Sequence, residues 1–412
     1  MRSTVRSAAH HHPRPMGGRD PNEAHRVATS LELLFDLTFA TSFGLAAEQL
    51  AEALAHGHYV AALLGFGFAS FAICWAWAEF SWFSSAYGID DWIFRILTMV
   101  QMIGVLVLTI GLPRLFASIV GGDRLDNSVM VLGYVIMRVA LVVQWLRAAR
   151  HDGARRRACW IHAAGIAIAQ IGWVMLIVLR LSTSFTVTLA GFLVLVELSG
   201  PLFAERHGGT PWHTHHIVER HNLFVLIALG EGVVGAAAAL SAVVDRHGWT
   251  LDSALVGIAG TGLTFGMWWL YDLLPSARAL REHRHRAAAW GFGQMMIVTS
   301  TVATGAGLGV AARSIEGQAR ITALAAVLSV AAPVAVYLGL VYGMNWFLVR
   351  QFHRFHAWLL VGSAGVLSLT IVAALCGLDL AECLVVLMVA PAVTVVGYEM
   401  VGNRHHAEAL AD

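Results

Sequence analysis

The chain has 412 residues, of which 58 % are hydrophobic and 13 % are charged, and its formal net charge is +1. Its mean hydropathy of +0.67 is higher than the surface of a water-soluble domain tolerates, which excludes an ordinary globular protein. The small net charge also argues against nucleic-acid binding, because it leaves little basic surface to neutralise phosphates. The composition predicts an all-α, polytopic membrane protein.

Apolar segments recur along the whole sequence. A transmembrane helix needs about 20 mostly apolar residues. Twelve segments meet this requirement: 31–53, 59–83, 92–112, 127–149, 159–180, 184–204, 218–243, 251–274, 287–312, 320–345, 356–376 and 379–401. Their connections are short, so we predict a transmembrane bundle of about twelve helices without a sizeable soluble domain. The first segment lacks a small-residue cleavage site and is predicted to be a span, not a signal peptide.

The arginines give the expected orientation. All 27 basic residues are arginines. With the N-terminus inside, 20 of them fall in cytoplasmic segments, six fall in outer loops, and Arg138 lies inside a span. Because positively charged residues accumulate on the cytoplasmic side, both termini are predicted to be cytoplasmic.

Two parts of the chain resemble each other. LELLFDLTFATSFG (31–44) resembles VERHNLFVLIALGEG (218–232), and tryptophans followed by an acid recur in CWAWAEF (74–80) and MWWLYD (267–272). A duplication of six helices is the simplest explanation, and an even number of helices gives both halves the same orientation. The predicted organisation is a cytoplasmic polar tail (1–30), a six-helix half (31–204), a His-rich cytoplasmic linker (205–217), a second six-helix half (218–401) and a cytoplasmic tail (402–412).

The spans contain several ionisable groups. A charge at the bilayer centre is costly, so each such group needs a partner, a cavity or a proton. Arg138 is far from either end of its span, and its expected partner is Asp36 or Glu231. One arginine can balance only one or two acids, so the surplus acids must be protonated, hydrated or cation-bound. The candidate ion-binding or relay residues are Asp36, Glu231, Arg138, Glu32, Glu219, Arg220, Glu197 and Glu79.

Some of these residues have a structural alternative. Glu32 and Glu219 both open helices, where a carboxylate favours the positive end of the helix dipole. Arg138 can form a buried ion pair that fixes helix packing. Glu32 and Asp36 lie four residues apart, which places both carboxylates on one stripe of the first helix.

The segment WHTHHIVERH (212–221) raises the question of a metal site. His215, His216 and Glu219 have helical spacing and are weak metal-ligand candidates. The H-E-x-x-H signature is absent and the chain has 20 histidines, so a His-rich interfacial loop without a metal or other cofactor is favoured. The small residues of GTGLTFG (260–266) and GAGLGVAA (305–312) are interpreted as sites of close helix contact.

At these residues the chain resembles the bacterial low temperature requirement protein A (LtrA) family. The positions that match the family pattern are Glu32, Asp36, His216, Glu219, Arg220 and Glu231, whereas position 221, usually aromatic in the family, is His. The resemblance rests on LELLFDLTF (31–39), WAWAEFSWFSS (75–85), GYVIMR (133–138), HIVERHNLFVLIALGEGVV (216–234) and WWLYD (268–272). It implies a multi-pass protein of the bacterial inner membrane, connected by name with growth in the cold. It implies no established substrate, reaction or cofactor.

The leading hypothesis is a transporter or channel for a small cation or a proton. Asp36, Glu231 and Arg138 are expected to form its polar centre, where the first and seventh helices face one another. The cytoplasmic mouth is expected to contain Glu32, Glu219, Arg220 and His216. The expected partners are membrane lipids and the ion, without nucleic acid, and a homo-oligomer is compatible with the sequence.

Two other classes of function remain open. The first is an intramembrane metal-dependent hydrolase or lipid-modifying enzyme that uses His216 and Glu219. The second is a non-catalytic membrane sensor or scaffold. The residues favour a non-enzymatic protein over an enzyme.

Overall fold

The computed structural model describes residues 14–23, 26–122, 124–179, 181–350 and 354–409. The chain is 85 % helical, and the described residues contain no strand. The helices are α1 (Ser30–Ala55), α2 (Tyr59–Tyr87), α3 (Trp92–Gly121), α4 (Ser128–His151), α5 (Arg156–Leu179), α6 (Thr183–Arg206), α7 (Thr214–His247), α8 (Leu251–Asp272), α9 (Ser276–Glu282), α10 (Ala287–Ile315), α11 (Ala323–Val349), α12 (Arg354–Leu375) and α13 (Leu380–Ala409). The predicted fold class is confirmed.

Twelve helical segments in the described part of the chain are long and apolar enough to cross a membrane. Each begins within four residues of its predicted start, whereas several extend past the predicted end, as α3 does by reaching Gly121 instead of 112. Hydropathy marks only the stretch in contact with lipid tails, and a helix satisfies its own backbone hydrogen bonds beyond that stretch. The protein is therefore a multi-pass membrane protein. Residues 1–13 of the predicted N-terminal tail lie outside the described residues.

The chain divides into two compact units. The first comprises Met1–Ala46 and Gly67–His221, and the second comprises Ala47–Phe66 and Asn222–Asp412. The helices α1, α2 and α7 each contribute residues to both units. The duplication of six helices stays a prediction.

Glycines allow close backbone contact within each unit. In the first unit, a Cβ atom at Gly133 of α4 would lie 2.1 Å from the backbone nitrogen of Leu108 in α3. In the second unit, a Cβ atom at Gly307, in the GAGLGVAA segment of α10, would lie 2.3 Å from the carbonyl oxygen of Ser329 in α11. Only a residue without a side chain fits at such distances, so the predicted role of that segment in close helix contact is confirmed.

Candidate functional site

A buried cluster in the first unit is built around Arg220. Since α7 begins at Thr214, Arg220 lies six residues, or about 9 Å, inside the helix, and it is fully buried. Its guanidinium donates to both carboxylate oxygens of Asp36, with Nε 3.1 Å from Oδ2 and Nη2 in contact with Oδ1. Its Nη1 atom donates to Oε1 of Glu32 at 3.4 Å and to the hydroxyl of Ser84 at 3.0 Å. We call these residues, with His216, the Arg220 cluster.

Asp36 has a further donor from α2. The indole Nε1 of Trp77 donates to its Oδ1 atom at 2.6 Å, and the Arg220 guanidinium carbon lies 5.6 Å from the centre of the Trp77 ring. A carboxylate held by a bidentate arginine and an indole is strongly oriented. The cluster therefore joins α1, α2 and the start of α7.

Glu32 combines the two roles that its sequence position allowed. As a helix cap, its Oε2 atom accepts from the backbone N–H of Thr29 at 2.8 Å, and its own N–H donates to the Thr29 hydroxyl at 3.3 Å. As a buried charge, it accepts from Arg220 and lies 3.3 Å from Nε2 of His216. Since Glu32 and Asp36 share Arg220, their predicted position on one stripe of α1 is confirmed.

The charges of the Arg220 cluster and its surroundings are close to balanced. The Arg220 cluster contains two carboxylates and one guanidinium at ion-pair distance. A second cation, Arg26, is buried nearby and interacts electrostatically with Glu32. It donates to the carbonyl oxygens of Ser84 and Ser85 at the end of α2, which neutralises part of the negative end of that helix. Two cations thus face two carboxylates.

A second buried cluster is built around Arg138. This residue follows Ser128 by ten positions and precedes His151 by thirteen, so about 15 and 20 Å of α4 separate it from the helix ends. Only 1 % of its surface is exposed. Its Nη1 atom donates to Oε2 of Glu79 at 3.1 Å, and its Nη2 atom donates to Oε2 of Glu197 at the same distance. We call these residues, with Tyr134, the Arg138 cluster.

The carboxylate of Glu197 is held by donors on both oxygens. Its Oε2 atom accepts from Arg138 and from the hydroxyl of Tyr134, which in turn accepts from Arg138 Nη2 at 2.6 Å. Its Oε1 atom accepts from Nε2 of Gln170 at 3.1 Å and from Nε1 of Trp173 at 2.8 Å. Four donors therefore fix the orientation of the Glu197 carboxyl group.

The carboxyl group of Glu79 accepts fewer hydrogen bonds than that of Glu197. Among the described residues, its carboxyl accepts a hydrogen bond only from Arg138. No other cation in the described part of the chain lies within ion-pair distance of Glu79 or Glu197. The Arg138 cluster thus carries one more carboxylate than guanidinium, and even Glu79 lies eight residues, or about 12 Å, inside the end of its helix.

The two clusters lie on opposite sides of α2. Trp77 and Ser84 are seven residues apart and face Arg220. Glu79 follows Trp77 by two positions, which turns its side chain by about 200° towards Arg138. One helix therefore contacts both clusters.

Comparison with known proteins identifies the family. The model of the bacterial low temperature requirement A protein (LtrA) family matches residues 27–392. The chain belongs to this family. An uncharacterized protein of Rhizobium meliloti (strain 1021), RA0937, is 26 % identical over 265 residues, which cover 61 % of this chain and 60 % of that protein. The chain thus matches less than two thirds of that relative's length. No solved structure matches it.

The structure corrects two expectations for this LtrA chain. The expected pairing of Arg138 with Asp36 or Glu231 is wrong, because Arg138 pairs with Glu79 and Glu197. Arg138 was also counted as the one arginine among the embedded acids, but Arg220 is fully buried as well and pairs with Asp36. The reason is that α7 begins four residues before the predicted span, which brings Arg220 inside the bundle.

Other predicted residues of the LtrA chain lie outside the two clusters. Glu231 belongs to the second unit and is partly exposed, and none of the described residues forms a hydrogen bond with its side chain. Glu219 is also partly exposed, with a buried Oε2 atom that has no partner among the described residues. His215 is exposed, whereas His216 points to Glu32. In the part of the chain that the structure describes, no group of three His, Cys, Asp or Glu residues is arranged to hold a metal ion.

Five residues that belong to the clusters or bind their carboxylates were missed as functional candidates: Trp77, Ser84, Tyr134, Gln170 and Trp173. Tyr134 precedes Arg138 by four positions, so a search for polar residues on one helix face would have found it. Gln170 and Trp173 lie three apart on α5, but nothing local relates them to Glu197. Trp77 was noted only as part of the recurring tryptophan pattern, and its bond to Asp36 became visible only in the fold.

Proposed function

We propose that the protein is a proton-coupled transporter or proton channel of the bacterial inner membrane, in which Glu79 carries the mobile proton. The observation that supports this proposal is the charge of the Arg138 cluster. Two buried carboxylates share one guanidinium, about 15 Å of helix from the nearer end of α4.

An unbalanced negative charge at that depth is unfavourable by several kcal/mol, even after relaxation of the protein. Binding of one proton removes it. Glu197 already accepts four hydrogen bonds, three of them from neutral donors, and these bonds would be lost or weakened if it were protonated. Glu79 accepts one, so the proton is best accommodated there.

A proton suits the cluster better than a metal cation. Cations bind in a shell of oxygen ligands, as Ca²⁺ does with six to eight oxygens at about 2.3–2.6 Å. Here the guanidinium of Arg138 occupies the position between the two carboxylates, 3.1 Å from each. A metal ion between them would contact a fixed positive charge. A proton can bind to a carboxylate oxygen without occupying the position between the two carboxylates.

In this proposal the Arg220 cluster, on the other face of α2, has a structural role. Its charges are nearly balanced, and it fixes α2 to α1 and α7 through Trp77, Ser84 and Asp36. A shift of α2 that follows protonation of Glu79 would therefore change both clusters. The distribution of arginines supports cytoplasmic termini, with α1 entering the membrane from the cytoplasm.

The test is a proton-flux measurement on purified protein in liposomes. A pH-sensitive dye inside the vesicles reports proton entry driven by a potassium diffusion potential. We expect the wild type to exceed empty vesicles and Glu79→Gln to reduce the flux at least about tenfold, because an amide cannot exchange the proton. Glu52→Gln, which changes an exposed carboxylate on α1, is the matched control and should behave as the wild type.

Two results would contradict the proposal. A Glu79→Gln protein that reconstitutes normally and transports protons at the wild-type rate would reject Glu79 as the carrier. A wild-type protein without flux above empty vesicles, at several lipid compositions and both signs of potential, would reject the transporter. A sensor or scaffold would then be favoured.

A further inference from the structure

The first unit contains a cavity of about 350 Å³ that the proton proposal does not use. It lies where α1 begins, α2 ends and α3 begins. Three arginines, Arg14, Arg19 and Arg26, line it, together with Glu32 on its wall and Asp90. Because three membrane-spanning helices end here, the cavity is expected at the depth of the lipid headgroups.

The three arginines differ in how far their charges are compensated. Arg19 pairs with Glu23 at 2.8 Å and donates to the carbonyl of Gly88. Arg26 donates only to backbone carbonyls in the described structure. Arg14 is anchored by its backbone, whose N–H donates to Asp91 at 3.1 Å, while its guanidinium forms no hydrogen bond or ion pair with the described residues.

Counting the ion-pair partners gives an excess of one positive charge. Asp90 is bound by Arg95 through two hydrogen bonds, and Glu32 and Asp36 are bound by Arg220. The charged residues around the cavity, with their partners, are Arg14, Arg19, Arg26, Arg95 and Arg220 against Glu23, Glu32, Asp36 and Asp90.

Arg26 is affected both by its burial and by a neighbouring cation of the cavity. Its side chain is buried, with 6 % of its surface exposed. Burial, followed by the neighbouring charge of Arg19, lowers the pKa of Arg26 to about 10. Arg26 therefore remains charged at neutral pH, although it lies close to another cation. An anion in the cavity would relieve this repulsion.

We propose that this cavity binds one singly charged phosphate group, carried by an acidic phospholipid headgroup or present as free phosphate. Arginine is suited to this ligand, because its planar guanidinium donates two parallel hydrogen bonds to neighbouring oxygens. Arg14 contributes an unused guanidinium, and Arg19 and Arg26 surround the remaining space. The inference is independent of proton transport.

The test uses full-length protein in a neutral detergent and measures bound ligand by native mass spectrometry. The probes are dihexanoyl phosphatidylglycerol, which carries one negative charge, zwitterionic dihexanoyl phosphatidylcholine, and inorganic phosphate. We expect phosphatidylglycerol to bind more tightly than phosphatidylcholine. Arg14→Gln should raise its Kd about tenfold, because a charge-assisted hydrogen bond is lost. Arg278→Gln, which removes an exposed arginine of the second unit, is the control and should leave the Kd unchanged.

A second variant should change the Kd for phosphatidylglycerol in the opposite direction. Asp90→Asn removes a negative charge from the cavity lining and leaves Arg95 without its partner, so it should lower the Kd for phosphatidylglycerol several-fold. Inorganic phosphate distinguishes the sources. A lipid site binds phosphatidylglycerol without competition from phosphate, whereas a site for free phosphate binds that ion with the same dependence on Arg14. The proposal is overturned if both variants bind phosphatidylglycerol and phosphate as the wild type does, or if phosphatidylcholine binds equally well.

Discussion

The two carboxylates of the Arg138 cluster should respond very differently to the same substitution. In Glu197→Gln, one oxygen becomes an NH₂ group. On either side of the carboxyl, that group faces two donors, Gln170 with Trp173 or Tyr134 with Arg138. Each buried donor left without an acceptor costs about 1–3 kcal/mol.

Arg138 would also lose one of its two ion-pair partners. Breaking a buried ion pair from one side typically costs about 3–5 kcal/mol. The two losses overlap, so we expect Glu197→Gln to lower the free energy of unfolding by about 3–5 kcal/mol in total. In Glu79→Gln, the amide oxygen can still accept from Arg138, and a glutamine resembles a protonated glutamate in shape. That variant should therefore change the free energy of unfolding by less than about 1 kcal/mol.

The assay is equilibrium unfolding in mixed micelles, followed by tryptophan fluorescence as the mole fraction of sodium dodecyl sulfate rises. Glu52→Gln serves again as the control, because its carboxylate is exposed. If Glu79→Gln destabilises the protein as much as Glu197→Gln does, Glu79 is an ionised partner of Arg138 and does not hold the proton. The charge argument for the Arg138 cluster would then fail.

Three further predictions concern stability. Asp36→Asn should lower the free energy of unfolding by about 3–5 kcal/mol in the same assay, since it leaves a fully buried arginine without its bidentate partner; a loss below about 1 kcal/mol would contradict the observed pair. Gly133→Ala should cost about 1–3 kcal/mol because its Cβ atom would overlap α3, whereas Gly339→Ala, with no atom within 4 Å, should be neutral or stabilising; equal effects would refute the close contact. Burial alone would raise the pKa of Asp91, but hydrogen bonds, led by that from Arg147, outweigh burial and lower the pKa. The contribution of Asp91 to stability is therefore present above about pH 4, and it is lost as the pH falls through the folded-state pKa. Asp91→Asn should therefore flatten the acid side of a plot of stability against pH, and an unchanged acid side would contradict this assignment.

Most charged residues of the candidate site could be predicted from the sequence, but the ion pairs that they form could not. The acids Glu32, Asp36, Glu79 and Glu197 stand out because ionisable residues are rare in apolar spans. Arg220 was not counted among the buried cations because hydropathy located the start of the span at 218, four residues after the start of α7. An error of one helical turn therefore changed the number of buried cations, on which the charge balance depends.

The sequence by itself determined that this is a multi-pass helical membrane protein, with twelve helices in its described part that are long and apolar enough to span a bilayer, because a bilayer forces each span to be apolar and to satisfy its own backbone hydrogen bonds. Those requirements act within about 20 consecutive residues, so a local pattern reveals them. The pairing of charges depends on which helix faces meet. Asp36 and Arg220 are separated by 184 positions, and Arg138 and Glu79 by 59. Only the tertiary structure decided these pairs, since a rotation of about 100° per residue carries a side chain from one neighbour to another without changing hydropathy.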